Sequence, residues 1–147
     1  MSANFSGCAG TSDDVVRRVL LEARVFAVVG ASNNPERPSY GVMAFLLQNG
    51  FKVVPINPGL AGQELLGQKV YATLADVPGP VDVVDIFRNS DAALGVTREA
   101  IVESQRLALK AIWMQLGVIN EAAAQEARAA NLDVVMDRCP KIELGRG

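Results

Sequence analysis

Apolar residues along this chain follow two kinds of spacing, which alternate from one end to the other. Short uninterrupted apolar runs are typical of buried strands, whereas apolar residues three or four positions apart are typical of amphipathic helices. The short runs predict five strands, which lie within residues 25–30, 51–58, 81–87, 108–117 and 132–137. The helical spacing predicts four helices, over residues 13–23, 39–50, 90–105 and 120–131.

Polar residues and glycines at the borders of these segments indicate where the helices begin and end. Ser, Asp and Asn side chains accept hydrogen bonds from the first helical turn. We therefore predict the N-caps as Ser12 or Asp13 for the first helix, Ser90 or Asp91 for the third, and Asn120 for the fourth. Gly50 is expected to close the second helix. Residues 59–80 are predicted to be mostly loop, with a short helical turn near 74–77.

The alternating order of strands and helices predicts the fold class. Apolar strands separated by helices form a parallel sheet with helices on both faces. We predict a Rossmann-like, doubly wound α/β fold of about five strands, in a single domain over residues 13–147 after a flexible segment 1–12. Such sheets bind ligands beyond the carboxyl ends of their strands. The segments to examine are therefore 30–39, 57–59, 87–89, 114–117 and 138–141.

Composition excludes several classes of function. The 147 residues are half apolar and carry a formal net charge of −2, so we expect no nucleic-acid or membrane partner. The chain contains no histidine, which excludes Ser-His-Asp and Cys-His catalysis and histidine-ligated metals. The two cysteines, Cys8 and Cys139, have no metal-binding spacing. Together with the absence of a signal-peptide pattern, they favour a cytoplasmic location.

The loop after the first predicted strand suits a phosphate group. Gly30 permits a tight turn and a close approach of the backbone to a ligand. The helix that follows offers free N–H groups and the positive end of its dipole. Ser32 and Ser39 add hydroxyl donors, and Arg37 can bind a phosphate through two parallel hydrogen bonds. The alternative is a tight strand-to-helix turn with polar residues on the surface.

This loop departs from the dinucleotide-binding fingerprint G-x-G-x-x-G. Only Gly30 is present, because Ser32 and Pro35 occupy the other two glycine positions. NAD enzymes also carry an acidic residue at the end of the second strand, where this chain has Asn57. Both differences count against NAD.

Further candidate residues follow the other strands. In the second loop, Lys69 could meet another phosphate, and a flexible surface loop is the alternative. Phe87 could stack on a base or pack in the core, and Arg88 could meet a phosphate. After the fourth strand, Gln115 and Gly117 are better candidates than Trp113, which we expect to lie in the core.

Cys139 lies between two basic residues after the last strand, Arg138 and Lys141. A thiol in such surroundings can be reactive. The alternative is a small buried residue followed by a turn at Pro140.

The segments VVGASNNPERPSYGV, VPINP, VDVVDIFR, IWMQLGVINEAAA and DVVMDRCPKIE together resemble the stand-alone CoA-binding domain family. This family is similar to the N-terminal domain of the succinyl-CoA synthetase α subunit. The resemblance spans roughly residues 15–144. It implies a Rossmann-like sheet that binds coenzyme A (CoA) across its carboxyl edge.

The resemblance also implies which residues contact CoA. Gly30, Ala31 and Ser32 would form the first phosphate turn with Arg37 and Ser39 beside it, and Asn57 and Pro58 would line the second loop. Phe87 and Arg88 would flank the adenosine, Gln115 and Gly117 would face the pantetheine, and Cys139 and Pro140 would lie near the same edge. No metal site is implied.

The resemblance favours a binding module over an enzyme. The synthetase uses a phosphorylated histidine in a second domain, and these residues include no histidine. We therefore expect the chain to bind CoA or acyl-CoA as a carrier, sensor or regulator, alone, as a homodimer or with an unidentified protein partner. The alternative is an NAD(P)-linked oxidoreductase, which has only the fold class in its favour.

Overall fold

The computed structural model describes residues 13–145. Its strands are β1 (Val25–Val29), β2 (Lys52–Ile56), β3 (Glu64–Leu65), β4 (Gln68–Lys69), β5 (Val83–Ile86), β6 (Ala111–Met114) and β7 (Asp133–Met136). Its helices are α1 (Asp13–Glu22), α2 (Pro38–Gln48), α3 (Ser90–Leu107), α4 (Glu121–Ala129) and α5 (Pro140–Gly145). No helix in this part of the chain is long and apolar enough to cross a membrane.

Five of the strands form one parallel sheet in the order β2-β1-β5-β6-β7. This order and the helices on both faces confirm the predicted Rossmann-like, doubly wound α/β fold. All five predicted strands and all four predicted helices are present, with borders that differ by a few residues.

Alternation along the strands sorts the apolar side chains onto two faces. Ala27 and Val29 of β1 belong to the core beneath α3 and α4. Phe26 and Val28 belong to the core beneath α1, α2 and α5. Trp113 is fully buried on this second face, as predicted. Burying a large apolar side chain contributes about 1.5–3 kcal/mol, so both faces stabilise the sheet.

Residues 59–80 contain more regular structure than the predicted loop. β3 and β4 form a small antiparallel hairpin. The following segment then extends the sheet beside β2, because the Tyr71 N–H donates to the Pro55 carbonyl at 3.0 Å and the Asn57 N–H donates to the Tyr71 carbonyl at 2.9 Å. Pro55 is tolerated because β2 is the edge strand of the five-stranded sheet. The predicted helical turn is confirmed as a short 3₁₀ segment at Leu74–Asp76.

Three border predictions can be compared with the structure. The N-cap of α3 is Asn89, so the prediction of Ser90 or Asp91 was wrong. Asn120 caps α4, as predicted. Gly50 follows α2 with a φ of +87°, in the left-handed conformation expected of a closing glycine. Two other predictions, a cap at Ser12 and a flexible segment 1–12, lie outside the described residues, as does Cys8.

Candidate functional site

The strand order places one crevice at the carboxyl edge of the sheet. From β1 the chain crosses to β2 on one side, and it then returns to β5 on the other side. Loops that leave neighbouring strands in opposite directions open a crevice between them, and ligands of doubly wound sheets bind there. The loops in question begin at Gly30 after β1 and at Phe87 after β5.

Gly30 brings these two loops into direct contact. Its φ of +91° is a conformation that residues with a side chain adopt only under strain. A Cβ at this position would lie 2.7 Å from the Phe87 carbonyl oxygen and 3.3 Å from Cδ of Arg88. Glycine is therefore required at the crevice both for backbone conformation and for space.

Internal hydrogen bonds shape the loop between β1 and α2. The N–H groups of Gly30 and Ala31 both donate to the Ile56 carbonyl, at 3.1 and 3.3 Å. Oγ of Ser32 accepts the N–H of Asn34 at 3.0 Å. No hydrogen bond within residues 13–145 uses the N–H groups of Ser32 and Asn33. A ligand would therefore meet the N–H groups of Ser32 and Asn33 rather than those of Gly30 and Ala31.

The N-terminus of α2 differs from those of the next two helices. Asn89 and Asn120 cap α3 and α4 with their side chains, at 2.8 and 2.9 Å. The N-cap of α2 is Arg37, whose side chain makes no capping hydrogen bond, and Pro38 follows. Ser39, in the first turn, is buried. The Arg37 N–H donates to the Asn34 carbonyl at 3.0 Å and the Tyr40 N–H to the Arg37 carbonyl at 3.1 Å. Because Pro38 has no N–H, the Ser39 N–H is the donor of this first turn that no hydrogen bond within residues 13–145 uses.

Asn57 fixes the first two loops against each other. Its Nδ2 donates to the Ala31 carbonyl at 2.7 Å, and its Oδ1 accepts the N–H of Gly59 at 2.8 Å. Pro58 and Gly59 form a short 3₁₀ segment directly after it. Both functional groups of the Asn57 amide are thus used within the protein.

We predict that Asn57→Ala lowers the free energy of unfolding by about 1–3 kcal/mol, because it removes two hydrogen bonds at a partly buried position. Asn33→Ala is the matched control, since Asn33 is exposed and has no side-chain hydrogen bond in the described part of the chain. Urea unfolding of both variants provides the measurement. Equal stability of the two variants would contradict this role of Asn57.

Cations along the edge have different environments. Arg37 and Arg88 are exposed and form no ion pair within residues 13–145. Lys69 lies on the hairpin beyond β2, with Nζ 5.2 Å from the centre of the Tyr71 ring. Arg138 contacts Asp13 at 3.1 Å and Glu143 at 3.2 Å. Arg37 and Arg88 are therefore the cations best placed for a ligand at the crevice.

The loop after β6 is held by residues that sequence reasoning did not single out. The N–H of Gly117 donates to Oδ1 of Asp137 at 2.6 Å. Oγ of Ser90 accepts the N–H of Ile119 at 3.0 Å. The side chain of Gln115 is almost entirely buried, and its Oε1 has no hydrogen-bond partner in the described residues. No sequence signal pointed to Asp137, because the contact depends on the positive φ of 61° at that residue.

An open cleft of about 650 Å³ separates α2 from α5. It is lined by Pro38, Gly41, Val42, Cys139, Lys141, Ile142 and Gly145. Cys139 is a free cysteine with 8% of its surface exposed, and Pro140 is buried beside it. α5, which contributes Lys141 to the cleft, was not predicted from the sequence. Because Pro38 and Gly41 line it, the cleft adjoins the first turn of α2. It therefore lies next to the loop that begins at Gly30.

Asp85 lies in the central strand β5 on the face covered by α1, α2 and α5, and sequence reasoning missed it. The residue is completely buried, and neither carboxyl oxygen has a hydrogen-bond partner within residues 13–145. Burial raises the pKa of Asp85 well above its ordinary value. A short apolar run gives no signal that one acidic member will lack a partner.

The sheet defines a Rossmann-like α/β domain with a crevice at the β1–β5 crossover. Residues 24–145 match the family model described as CoA binding domain. The chain belongs to this CoA-binding family, which confirms the resemblance seen in the sequence.

The chain matches some relatives over nearly their whole length and others over only a small part. The uncharacterized protein YneT of Bacillus subtilis is 32% identical over 127 residues, which cover 86% of this chain and 90% of YneT. The solved structure of a hypothetical protein from Pyrococcus horikoshii is 32% identical with a TM-score of 0.84, covering 99% of this chain and 98% of that one. Subunit alpha of the ADP-forming acetate–CoA ligase II of Pyrococcus furiosus is 39% identical over 64 residues, which make up 43% of this chain and 14% of the ligase subunit.

Proposed function

We propose that this protein binds CoA or an acyl-CoA at the carboxyl edge of its sheet, and that it acts as a carrier, sensor or regulator without chemistry of its own. The observation that carries the proposal is the N-terminus of α2. This helix end lacks a side-chain cap and lies beside the crossover crevice. Helix ends of this kind bind phosphate groups.

The neighbouring residues suit the diphosphate of CoA. Gly30 lets a phosphate approach the backbone, and the N–H groups of Ser32 and Asn33 are available beside it. Arg37 and Arg88 supply positive charge at the same crevice. In a protein with a net charge of −2, this local concentration of cations and N–H donors accounts for the recognition of a polyanion.

The rest of the edge suits the other parts of CoA. Phe87 is half-buried at the crevice, where its ring can contact the adenosine. Gln115 and Gly117 follow β6, and we assign them to the pantetheine arm. Asn57 holds the loops together instead of binding a ribose, which favours CoA over NAD. Lys69, Pro58, Cys139 and Pro140 complete the proposed edge.

The relationship with the acetate–CoA ligases supports a binding role. The chain spans 14% of the P. furiosus ligase subunit, so most of that protein has no counterpart here. These 147 residues also contain no histidine that could carry a phosphoryl group. We therefore propose that the shared segment supplies CoA binding and that any reaction takes place outside it.

Calorimetric titration tests the proposal with CoA, acetyl-CoA, 3′-dephospho-CoA, 3′,5′-ADP, NAD and NADP as ligands. We expect CoA to bind. Dephospho-CoA should bind more weakly if the protein also contacts the 3′-phosphate. A ligand at a hundredfold excess over its Kd stabilises the folded state by about 2.7 kcal/mol, so thermal unfolding gives a second measurement. Binding of NAD or NADP without CoA would support the oxidoreductase alternative, and absence of CoA binding at high micromolar concentration would refute the proposal.

We predict that Arg37→Ala and Arg88→Ala each weaken CoA binding roughly tenfold, because each removes a charge-assisted hydrogen bond to a phosphate. Arg128→Ala is the control for net charge, since Arg128 is exposed in the last turn of α4 and distant from the carboxyl edge. Titrations at two salt concentrations should show a smaller salt dependence for the first two variants only. Equal affinities for all three variants would remove the two arginines from the site.

A further inference from the structure

Within residues 13–145, two buried polar groups that belong to adjacent strands or their ends lack hydrogen-bond partners. Asp85 has an exposure of 0% and two unpartnered oxygens, and Gln115 has an exposure of 6% and an unpartnered Oε1. Unpartnered buried polar groups are costly, and native structures contain few of them. The pair therefore requires an explanation that packing alone does not give.

The strand register makes the two side chains diagonal neighbours. Asp85 of β5 is the register partner of Trp113 of β6, and Gln115 follows two residues later. The Gln115 N–H donates to the Ile86 carbonyl at 3.3 Å, so the parallel pairing continues past the end of β6. Residues two apart on a strand face the same side. With parallel strands about 4.8 Å apart and a rise of about 3.3 Å per residue, such diagonal neighbours lie roughly 8 Å apart between Cα atoms, within reach of long side chains.

The hydrogen-bonding needs of the two groups are complementary. Burial raises the pKa of Asp85 and so favours the protonated carboxyl, which has one O–H donor. Oε1 of Gln115 is an acceptor without a donor, and it is the buried atom of that amide. One hydrogen bond from the Asp85 hydroxyl to Oε1 of Gln115 would satisfy both groups.

We propose that Asp85 is a positioning residue for the ligand site: its carboxyl hydroxyl donates to Oε1 of Gln115 and thereby directs Nε2 of that amide toward an amide carbonyl on the pantetheine arm. This inference rests on the proposed function. Asp85 does not touch the ligand. Its effect is specific to the pantetheine arm, because the oriented N–H of Gln115 recognises an amide carbonyl and 3′,5′-ADP has no amide carbonyl.

Two substitutions separate this role from simple packing. Asp85→Asn keeps the shape and retains an N–H donor for Oε1, whereas Asp85→Leu keeps the branching and the number of side-chain heavy atoms and has no donor. A third variant, Gln115→Leu, removes the oriented amide itself. If the side chain of Asp85 only fills space, the first two variants should bind ligands alike.

Calorimetry with CoA and 3′,5′-ADP on all three variants tests the proposal. We expect Asp85→Asn to bind CoA within about threefold of the parent, and Asp85→Leu and Gln115→Leu to bind it about tenfold more weakly, the effect of one hydrogen bond. All three variants should bind 3′,5′-ADP with the parent's affinity. The double variant Asp85→Leu with Gln115→Leu should lose no more CoA affinity than either single variant. Unchanged CoA affinity in Asp85→Leu, or equal weakening toward both ligands, would overturn the proposal.

Infrared spectroscopy tests the internal hydrogen bond without a ligand. We expect a protonated-carboxyl band in the parent, its absence in Asp85→Asn, and its shift in Gln115→Leu. A band that does not respond to Gln115→Leu, or no band at all, would refute the hydrogen bond. If the band responds while CoA fails to bind the parent, the proposed function fails and the pairing of Asp85 with Gln115 stands.

Discussion

Replacing Gly30 by alanine should eliminate CoA binding and destabilise the fold by on the order of 1–3 kcal/mol from backbone strain alone. The strain arises because alanine must adopt the φ of +91° that glycine holds here. In addition, the new Cβ would lie 2.7 Å from the Phe87 carbonyl oxygen, so the loops after β1 and β5 must separate. Because the crevice lies between those loops, its shape changes together with the stability.

Gly50→Ala separates these two effects. Gly50 has nearly the same backbone conformation, with a φ of +87°, and a Cβ there would meet nothing within 4 Å. We expect this variant to lose stability through strain and to bind CoA with unchanged affinity. Thermal unfolding and CoA titration on both variants, at a temperature where each is folded, give the comparison. CoA binding by Gly30→Ala at the parent's affinity would show that the β1–β5 crevice is not the ligand site.

Removing the carboxyl of Asp85 should change how stability depends on pH. The pKa of Asp85 is raised in the folded protein by burial, above the ordinary value of 3.8. Between that value and the raised pKa, the folded state keeps a proton that the unfolded state releases. The contribution of Asp85 is therefore complete below about pH 3.8 and is lost as the pH rises through the folded-state pKa. The slope is about 1.4 kcal/mol per pH unit for one proton.

Asp85→Asn should lack this slope, because its amide does not titrate. Between about pH 3.8 and the folded-state pKa of Asp85, the free energy of unfolding of Asp85→Asn relative to the parent should rise by about 1.4 kcal/mol for each pH unit. The other titratable side chains packed in this core, Tyr40 and Cys139, are unchanged in the comparison. Urea unfolding across the pH range provides the measurement, with Asp91→Asn, an exposed carboxyl on α3, as the control. Parallel curves for the parent and Asp85→Asn would show that Asp85 is ionised in the folded state.

The architecture was predictable because the pattern of apolar residues reflects the sheet directly. Apolar runs such as 25–29 mark strands buried on both faces, and the helical repeats between them require crossover connections. The position of the candidate site could be predicted in the same way, because the carboxyl ends of parallel strands lie at one edge of the sheet. The prediction therefore placed Gly30, Asn57 and Phe87 at one end of the sheet, where the structure also has them.

The features that escaped prediction depend on contacts between distant segments. The side chain of Asn89 caps α3, whereas Oγ of Ser90 accepts the N–H of Ile119 in the loop after β6. The sequence does not show which of these neighbouring polar residues takes the cap position. β3 and β4 are too short to show an alternating pattern. Asp85 could not be distinguished from a paired carboxyl, because the absence of a partner is a property of the packed core.

Trp113, the chain's only tryptophan, is fully buried, and its indole N–H donates to the Arg138 carbonyl at 2.8 Å. It is also the register partner of Asp85 and lies two residues before Gln115. The protein therefore contains a single tryptophan fluorophore beside the central strand of its sheet, hydrogen-bonded to the loop that leads to Cys139. Its emission reports on one known location, so unfolding, the charge state of its neighbour and events at the carboxyl edge can be followed in unlabelled protein.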